Sequence, residues 1–154
     1  MKKSVNPLIN IYIDTNVLLN YLTGQDADIT AMRYIFSQRR KENLFTSSLA
    51  LVQTVTQLQK GNKQNGRKPY DSTKAGRLIA ELMKKITVLE LTDEDITNGI
   101  NLAKKDLEDS IHFAISKKAE CKAVITNNIK DFSCFTEIKA LSPTKLSVIK
   151  QRIN

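Results

Sequence analysis

Short apolar runs rich in β-branched residues alternate along the chain with longer stretches in which apolar residues recur every three or four positions. The short runs predict β-strands, and the three-to-four spacing predicts amphipathic helices. Strands are predicted at residues 8–13, 44–46, 86–91, 123–126 and 138–141. Helices are predicted between them, at residues 17–22, 27–41, 49–58, 74–85, 93–104 and 106–120.

The alternation of strands with helices favours an α/β fold, with a central, mainly parallel sheet between two layers of helices. A chain of 154 residues that is 41% hydrophobic suits one domain spanning residues 1–154, and no internal repeat is present. Ser142 and Pro143 predict the N-cap and first turn of a C-terminal helix. Residues 60–72 contain two glycines and a proline and are predicted to be a loop.

Polar residues follow the apolar runs, and in a parallel sheet the carboxyl ends of the strands share one edge, where functional residues lie. Four groups stand after such a run or at the start of the helix before one: Asp14 and Asn16; Ser47 and Ser48; Asp106, Glu108 and Asp109; and Asn127, Asn128 and Asp131. Carboxylate and amide oxygens together suit a hard cation such as Mg²⁺ or Mn²⁺.

Each group also has a purely structural explanation. Asp14 could simply cap the helix that follows it, and Asn128 with Asp131 could stabilise a turn. For Asp106 the cap is the preferred interpretation, because Asp109 follows three residues later as in a capping box. Asp109 is harder to explain structurally, because it lies at the edge of the apolar stripe of its helix. Four coinciding groups nevertheless make a metal site the economical interpretation.

Lys and Arg number 24 against 16 Asp and Glu, which gives a formal charge of +8 and favours a polyanionic partner. Between residues 60 and 77, six basic residues surround one acid. We expect Lys60, Lys63, Arg67 and Lys68 in this segment to contact the phosphates of a single-stranded or looped nucleic acid. The other interpretation is a solvated basic surface.

The two cysteines, Cys121 and Cys134, have no metal-type spacing and are predicted to be free thiols in a reducing compartment. No segment approaches the ~20 apolar residues of a membrane span, and the N-terminus lacks the apolar stretch of a signal peptide. We therefore expect a cytoplasmic protein that does not associate with membranes.

Five segments resemble, in order and spacing, the signature segments of PIN-domain proteins, including the VapC-like toxin ribonucleases of toxin–antitoxin pairs. They are IYIDTNVLL, TSSLAL, DLEDSIHFAISKKA, AVITNNIKDF and ALSPTKL. The resemblance implies a three-layer PIN-like fold and an endoribonuclease that hydrolyses RNA phosphodiester bonds with Mg²⁺ or Mn²⁺. It also implies an antitoxin protein as a partner, and we expect a homodimer.

The resemblance assigns roles to individual residues. It implies catalytic metal ligands at Asp14, Asp109 and Asp131, an additional acid at Glu108, and supporting polar residues at Asn16, Ser48, Gln53 and Asn128. Gln53 is a departure, because many active PIN domains carry Glu there. The alternative function is therefore a catalytically weak or inactive PIN domain that binds nucleic acid or protein. His112 is expected either on the surface or beside the site, where it could tune the site.

Overall fold

The computed structural model of the protein describes residues 8–24 and 26–146. Within this part of the chain, five strands form one sheet: β1 (Ile11–Ile13), β2 (Leu44–Ser47), β3 (Thr87–Leu89), β4 (Ala123–Ile125) and β5 (Lys139–Leu141). The spatial order is β3-β2-β1-β4-β5, and every neighbouring pair is parallel. The expected α/β fold with a mainly parallel central sheet is thus confirmed, and the sheet is parallel throughout.

Helices connect the strands. They are α1 (Thr15–Thr23), α2 (Asp26–Gln38), α3 (Ser48–Lys60), α4 (Ser72–Met83), α5 (Asp93–Asn101), α6 (Leu107–Lys118) and α7 (Ile129–Phe132). A one-turn 3-10 helix, Lys41–Asn43, leads into β2. Residues 143–146 are also helical, and the Ser142 hydroxyl accepts a hydrogen bond from Lys145 N at 3.3 Å, as predicted for an N-cap. The rest of that predicted helix lies outside the described residues.

Successive side chains of β1 point to opposite faces of the sheet and therefore enter two separate cores. Ile11 and Ile13 pack with α1, α2, α3 and α4 on one face of the sheet, whereas Tyr12 packs with α6 and α7 on the other. Both cores contain aliphatic or aromatic side chains that are fully buried. The result is the three-layer arrangement expected from the sequence.

Helices start directly after the strands at one edge of the sheet, and capping side chains fix these turns. Asp14 caps α1 immediately after β1, and Ser47 caps α3 by accepting a hydrogen bond from Ala50 N at 3.0 Å. Thr92 and Asp95 form a capping box at the start of α5. Because these turns are short, polar side chains from several strands are held close to one edge.

Element boundaries differ from the prediction where the backbone leaves regular geometry. Strand β1 is shorter than predicted because Leu8 and Ile9 lie outside the ladder, with 42% and 44% of their surfaces exposed. Helix α5 ends before the predicted residue 104, and Ala103 has a positive φ of 50°. The short helix α7 was not predicted. No helix in the described ranges has the length and apolar character needed to cross a bilayer.

The contact between α5 and α6 depends on Gly99. A Cβ atom at this position would lie 2.7 Å from Ile111 Cγ1 and 3.1 Å from Ile111 Cα. We therefore predict that Gly99→Ala lowers the free energy of unfolding by about 1–3 kcal/mol, because α5 must move away from α6. The measurement is urea unfolding of both proteins.

Gly76→Ala is the matched control, because a Cβ atom at Gly76 in α4 meets nothing within 4 Å. It should raise the stability by roughly 0.5–1 kcal/mol through helix propensity alone. Equal effects of the two substitutions would show that the close packing at Gly99 does not limit stability.

Candidate metal centre

The carboxylate of Asp14 is held in one orientation at the end of β1. Its Oδ1 accepts a hydrogen bond from Thr15 N at 2.8 Å. Its Oδ2 accepts from Asn16 Nδ2 at 3.0 Å and from Thr126 Oγ1 at 2.8 Å. With 5% of its surface exposed, Asp14 is a buried acid with a fixed direction. Asp14 also caps α1, so it is both a helix cap and a candidate metal ligand.

The turn after β4 is tied to the turn after β1. Thr126 Oγ1 accepts a hydrogen bond from Asn128 N at 3.0 Å, and Asn16 Oδ1 accepts from Asn127 N at 3.2 Å. Asp131 follows in the first turn of α7, and its amide donates to Asn128 O at 3.1 Å. These bonds hold the third expected ligand, which is exposed, at the same edge of the sheet.

Asp28 is a second buried acid at this edge and was not anticipated from the sequence. Its Oδ2 accepts hydrogen bonds from Asn127 Nδ2 at 2.9 Å and Asn20 Nδ2 at 2.8 Å. Asp28 lies in the first turn of α2, the helix before β2, so the rule that selected the acids of α6 could also have selected it. It supports the turn after β4 through Asn127.

Asp109 stands in the first turn of α6, where Asp106 is the N-cap and accepts a hydrogen bond from Asp109 N at 3.0 Å. The preferred interpretation of Asp106 as a cap is therefore confirmed. Burial is the largest cause that raises the pKa of Asp109 to about 7, and repulsion from Asp106, Asp14, Asp131 and Glu108 contributes in that order. Asp14, from the turn after β1, and Asp131, from α7, thus lie close enough to Asp109 to contribute to its raised pKa.

These carboxylates do not form a closed coordination sphere. Among the described residues, no three His, Cys, Asp or Glu side chains lie close enough together to hold an ion as they stand. The donors are all oxygen atoms and one of them is already fixed, so the set fits a hard divalent cation.

Gln53 on α3 lies between the segments that carry Asp14 and Asp109. Its Oε1 accepts hydrogen bonds from Thr15 Oγ1 at 2.8 Å and from His112 Nε2 at 3.0 Å. His112 is 1% exposed, so a surface position is wrong, and its ring lies beside Gln53 and Tyr12. The acceptor capacity of Gln53 is therefore used by neighbouring residues.

Comparison with known proteins identifies the family. The PIN domain profile matches residues 11–136. The chain belongs to the PIN domain family. No curated protein sequence matches the chain significantly.

Solved structures show the same PIN fold at low sequence identity. A toxin–antitoxin complex from Klebsiella pneumoniae gives a TM-score of 0.62 at 17% identity, covering 87% of this chain and 98% of that one. VapC20 of Mycobacterium tuberculosis, a sarcin-ricin loop cleaving toxin, gives 0.61 at 16% identity, with 82% and 95% covered. DNA-bound VapBC from Salmonella typhimurium gives 0.64 at 12% identity, with 88% and 98% covered. The resemblance to VapC-like toxins is thus confirmed at the level of the fold.

One supporting role within this PIN domain differs from expectation. The Ser48 hydroxyl, expected to orient Asp14, instead accepts a hydrogen bond from Leu91 N at 3.0 Å, because it faces the segment after β3. Thr126 takes the expected role at Asp14. It ends the fourth apolar run of the sequence, so the strand-end rule that selected Asn127 and Asn128 applies to it equally.

The basic segment after α3 is a compact turn. Asn62 and Arg67 pair as an antiparallel bridge, and the Arg67 guanidinium donates to Gln57 O at 3.1 Å. Arg67 therefore stabilises the end of α3, which limits its availability for RNA. Lys60, Lys63 and Lys68 are exposed. Lys60 follows Gln53 by about 10 Å of helical rise, so the segment lies at a distance from the carboxylates.

The raised pKa of Asp109 predicts that the metal-free PIN domain becomes less stable to unfolding as pH rises. Its ordinary pKa is 3.8, and the folded value is about 7, so stability is lost as pH rises between these values. Asp109→Asn should therefore stabilise the chelator-treated protein above pH 7 and not below pH 4. The full shift corresponds to roughly 4 kcal/mol, and solvent screening of this half-buried group reduces our expectation to about 1–2 kcal/mol.

The measurement is urea unfolding in EDTA from pH 4 to pH 8. Glu42→Gln is the matched control, because it removes one negative charge from the exposed 3-10 turn before β2, at the opposite edge of the sheet. A stabilisation by Asp109→Asn that is the same at both ends of the pH range would contradict the raised pKa of Asp109.

Proposed function

We propose that this PIN domain is a metal-dependent endoribonuclease and the toxin of a toxin–antitoxin pair. The observation that carries the proposal is the gathering of acids at the carboxyl edge, where Asp14 and Asp131 lie close enough to Asp109 to act on it although the three come from separate elements. Helix capping accounts for Asp14 and Asp106, but it does not require Asp109 and Asp131 to lie near them. The RNA-cleaving and antitoxin-bound proteins among its structural neighbours support the choice of reaction and partner.

The residues that would hold Mg²⁺ or Mn²⁺ are Asp14, Asp109 and Asp131, with Glu108 exposed beside them. A divalent ion bound there supplies activation of water and neutralisation of negative charge on the phosphodiester. Asp14 contributes a carboxylate whose direction is set in advance by three hydrogen bonds. Such preorganisation avoids reorienting the ligand when an ion arrives.

Recognition of RNA is proposed to use the basic segment after α3. Lys60, Lys63 and Lys68 project from a turn whose shape is maintained by Asn62 and Arg67. Contacts with backbone phosphates at this distance would position an RNA strand whose scissile bond lies at the carboxylates. Single-stranded or looped RNA suits this arrangement, because a flexible strand can span both surfaces.

A second candidate function is favoured by the hydrogen bonds of Gln53. Its Oε1 is occupied by Thr15 and His112, so the side chain contributes neither charge nor a free oxygen to the cluster. A site with one carboxylate fewer binds a divalent cation more weakly. This favours a PIN domain that retains binding to RNA or protein with little or no catalysis.

The decisive experiment is cleavage of an unstructured RNA with Mn²⁺, with Mg²⁺ and with EDTA. We predict cleavage only with metal, and at least a tenfold weaker Mn²⁺ affinity in Asp14→Asn, because this variant removes the charge of the fixed ligand. Calorimetry gives the affinity independently of activity. RNA binding by wild type without cleavage under any condition would reject the nuclease and support the binding module.

The Gln53→Glu variant separates a weak nuclease from an inactive one. The introduced carboxylate can still accept from Thr15 and His112, and its charge should tighten Mn²⁺ binding by about 1 kcal/mol, roughly fivefold, after desolvation and repulsion are deducted. Faster cleavage by this variant would show that wild type works below the capacity of the site. The double variant with Asp14→Asn should lose the gain.

The basic segment generates a separate prediction about salt dependence. Replacing Lys63 and Lys68 with Ala should weaken RNA binding and reduce the slope of log affinity against log salt by about 1.4, because two counterion-releasing contacts are lost. Arg67 is left in place since its guanidinium bonds to α3. The measurement is fluorescence anisotropy of a labelled RNA between low and high salt.

Lys122→Ala with Lys139→Ala is the matched control. Both lysines are exposed at the amino ends of β4 and β5, at the other edge of the sheet, and the net charge changes equally. The same reduction in slope for both pairs would mean that RNA senses only overall charge.

A further inference from the structure

A buried chain of side-chain hydrogen bonds crosses the domain behind the carboxylates. Tyr12 Oη lies 2.7 Å from Ser47 Oγ and 2.7 Å from His112 Nδ1. His112 Nε2 lies 3.0 Å from Gln53 Oε1, which also accepts from Thr15 Oγ1. The five residues come from β1, β2, α1, α3 and α6. The chain therefore links the elements that carry Asp14 with the helix that carries Asp109.

The donor and the acceptor of each hydrogen bond can be assigned by starting from Gln53 Oε1, the acceptor at one end of the chain. Gln53 Oε1 can only accept, so His112 Nε2 carries a hydrogen and donates. Burial lowers the pKa of His112, which favours a neutral ring, and Nδ1 of that ring accepts from the Tyr12 hydroxyl. Tyr12 in turn accepts from Ser47, whose oxygen accepts from Ala50 N. Nε2 of His112 thus donates to Gln53, and Nδ1 accepts from Tyr12.

The position of His112 connects this chain to the geometry of the site. Tyr12 lies on β1, two residues before Asp14, and Thr15 directly follows Asp14. His112 follows Asp109 by three residues, so the two side chains lie one turn apart on α6. Tyr12 is 0% exposed and cannot shift without disturbing the core. A side chain at 112 that bonds on both sides therefore fixes α6 against β1 and α3.

We propose that His112 is a positioning residue: through Tyr12 and Gln53 it holds the first turn of α6, and hence Asp109, in register with Asp14. The inference rests on the proposed metal site for its functional consequence. Packing alone would require an apolar side chain of similar volume, whereas the observed geometry uses both ring nitrogens. Residues that orient ligands in this way change metal affinity although they do not touch the ion.

The test compares His112→Gln with His112→Met. A glutamine amide offers one acceptor for Tyr12 and one donor for Gln53, whereas methionine fills space without strong hydrogen bonds. The measurements are Mn²⁺ affinity by calorimetry, kcat and KM for RNA cleavage, and hydrogen exchange of the α6 amides in chelated protein. Exchange is referred to the amides of α4, so that a general loss of stability is removed.

We expect His112→Gln to keep Mn²⁺ affinity and kcat close to wild type. His112→Met should bind Mn²⁺ about tenfold more weakly and lose about tenfold in kcat with little change in KM. The first two turns of α6 should exchange faster in His112→Met than in His112→Gln. Two variants that are alike in all three measurements would overturn the positioning role.

Failure of the proposed function gives a different pattern. A wild-type protein that neither binds Mn²⁺ nor cleaves RNA rejects the metal site, and hydrogen exchange in chelated protein still decides the inference. Faster exchange of α6 in His112→Met alone then supports the positioning of this helix by His112. Equal exchange in both variants overturns it.

Discussion

The arrangement of the carboxyl edge depends on the hydrogen bonds that the Asp14 carboxylate accepts. Thr15 N, Asn16 Nδ2 and Thr126 Oγ1 donate to it, and they come from both sides of the β1–β4 pair. Asn16 and Thr126 then bind the backbone after β4, which leads to Asp131. A buried acid without these donors would be costly to ionise, so the same bonds that orient Asp14 make its burial possible.

The charge distribution sets the conditions under which such a site can work. The chain carries a formal charge of +8, yet acids collect at the carboxyl edge and repel one another there. An RNA phosphate approaching these acids directly would be repelled as well. In the proposed nuclease, a divalent cation would reverse that local field, and basic residues elsewhere on the surface would attract the rest of the RNA. Positive overall charge and an acidic edge are therefore compatible parts of one arrangement.

The strand-end rule predicted from the sequence which polar residues lie at the carboxyl edge, because residues that follow the strands of a parallel sheet share one edge. Asp14, Asn16 and Asp131 were found in this way. His112 was not placed, because a pattern of hydrophobicity assigns polar residues to the exposed side, whereas α6 also buries Ser110 and Ser116. Their hydroxyls bond to backbone carbonyls within the helix. Hydrogen bonds that allow a polar side chain to be buried can be recognised only in the structure.

Gln53 acquires a physical reason once the hydrogen bonds around it are known. A carboxylate there would place a further negative charge beside the cluster that already raises the pKa of Asp109. The amide accepts the same bonds from Thr15 and His112 without that charge. Replacing charge by an amide lowers repulsion in the metal-free domain and weakens attraction for a cation by the same interaction. In the proposed metal site, Gln53 would therefore lower the affinity for a cation and stabilise the metal-free domain.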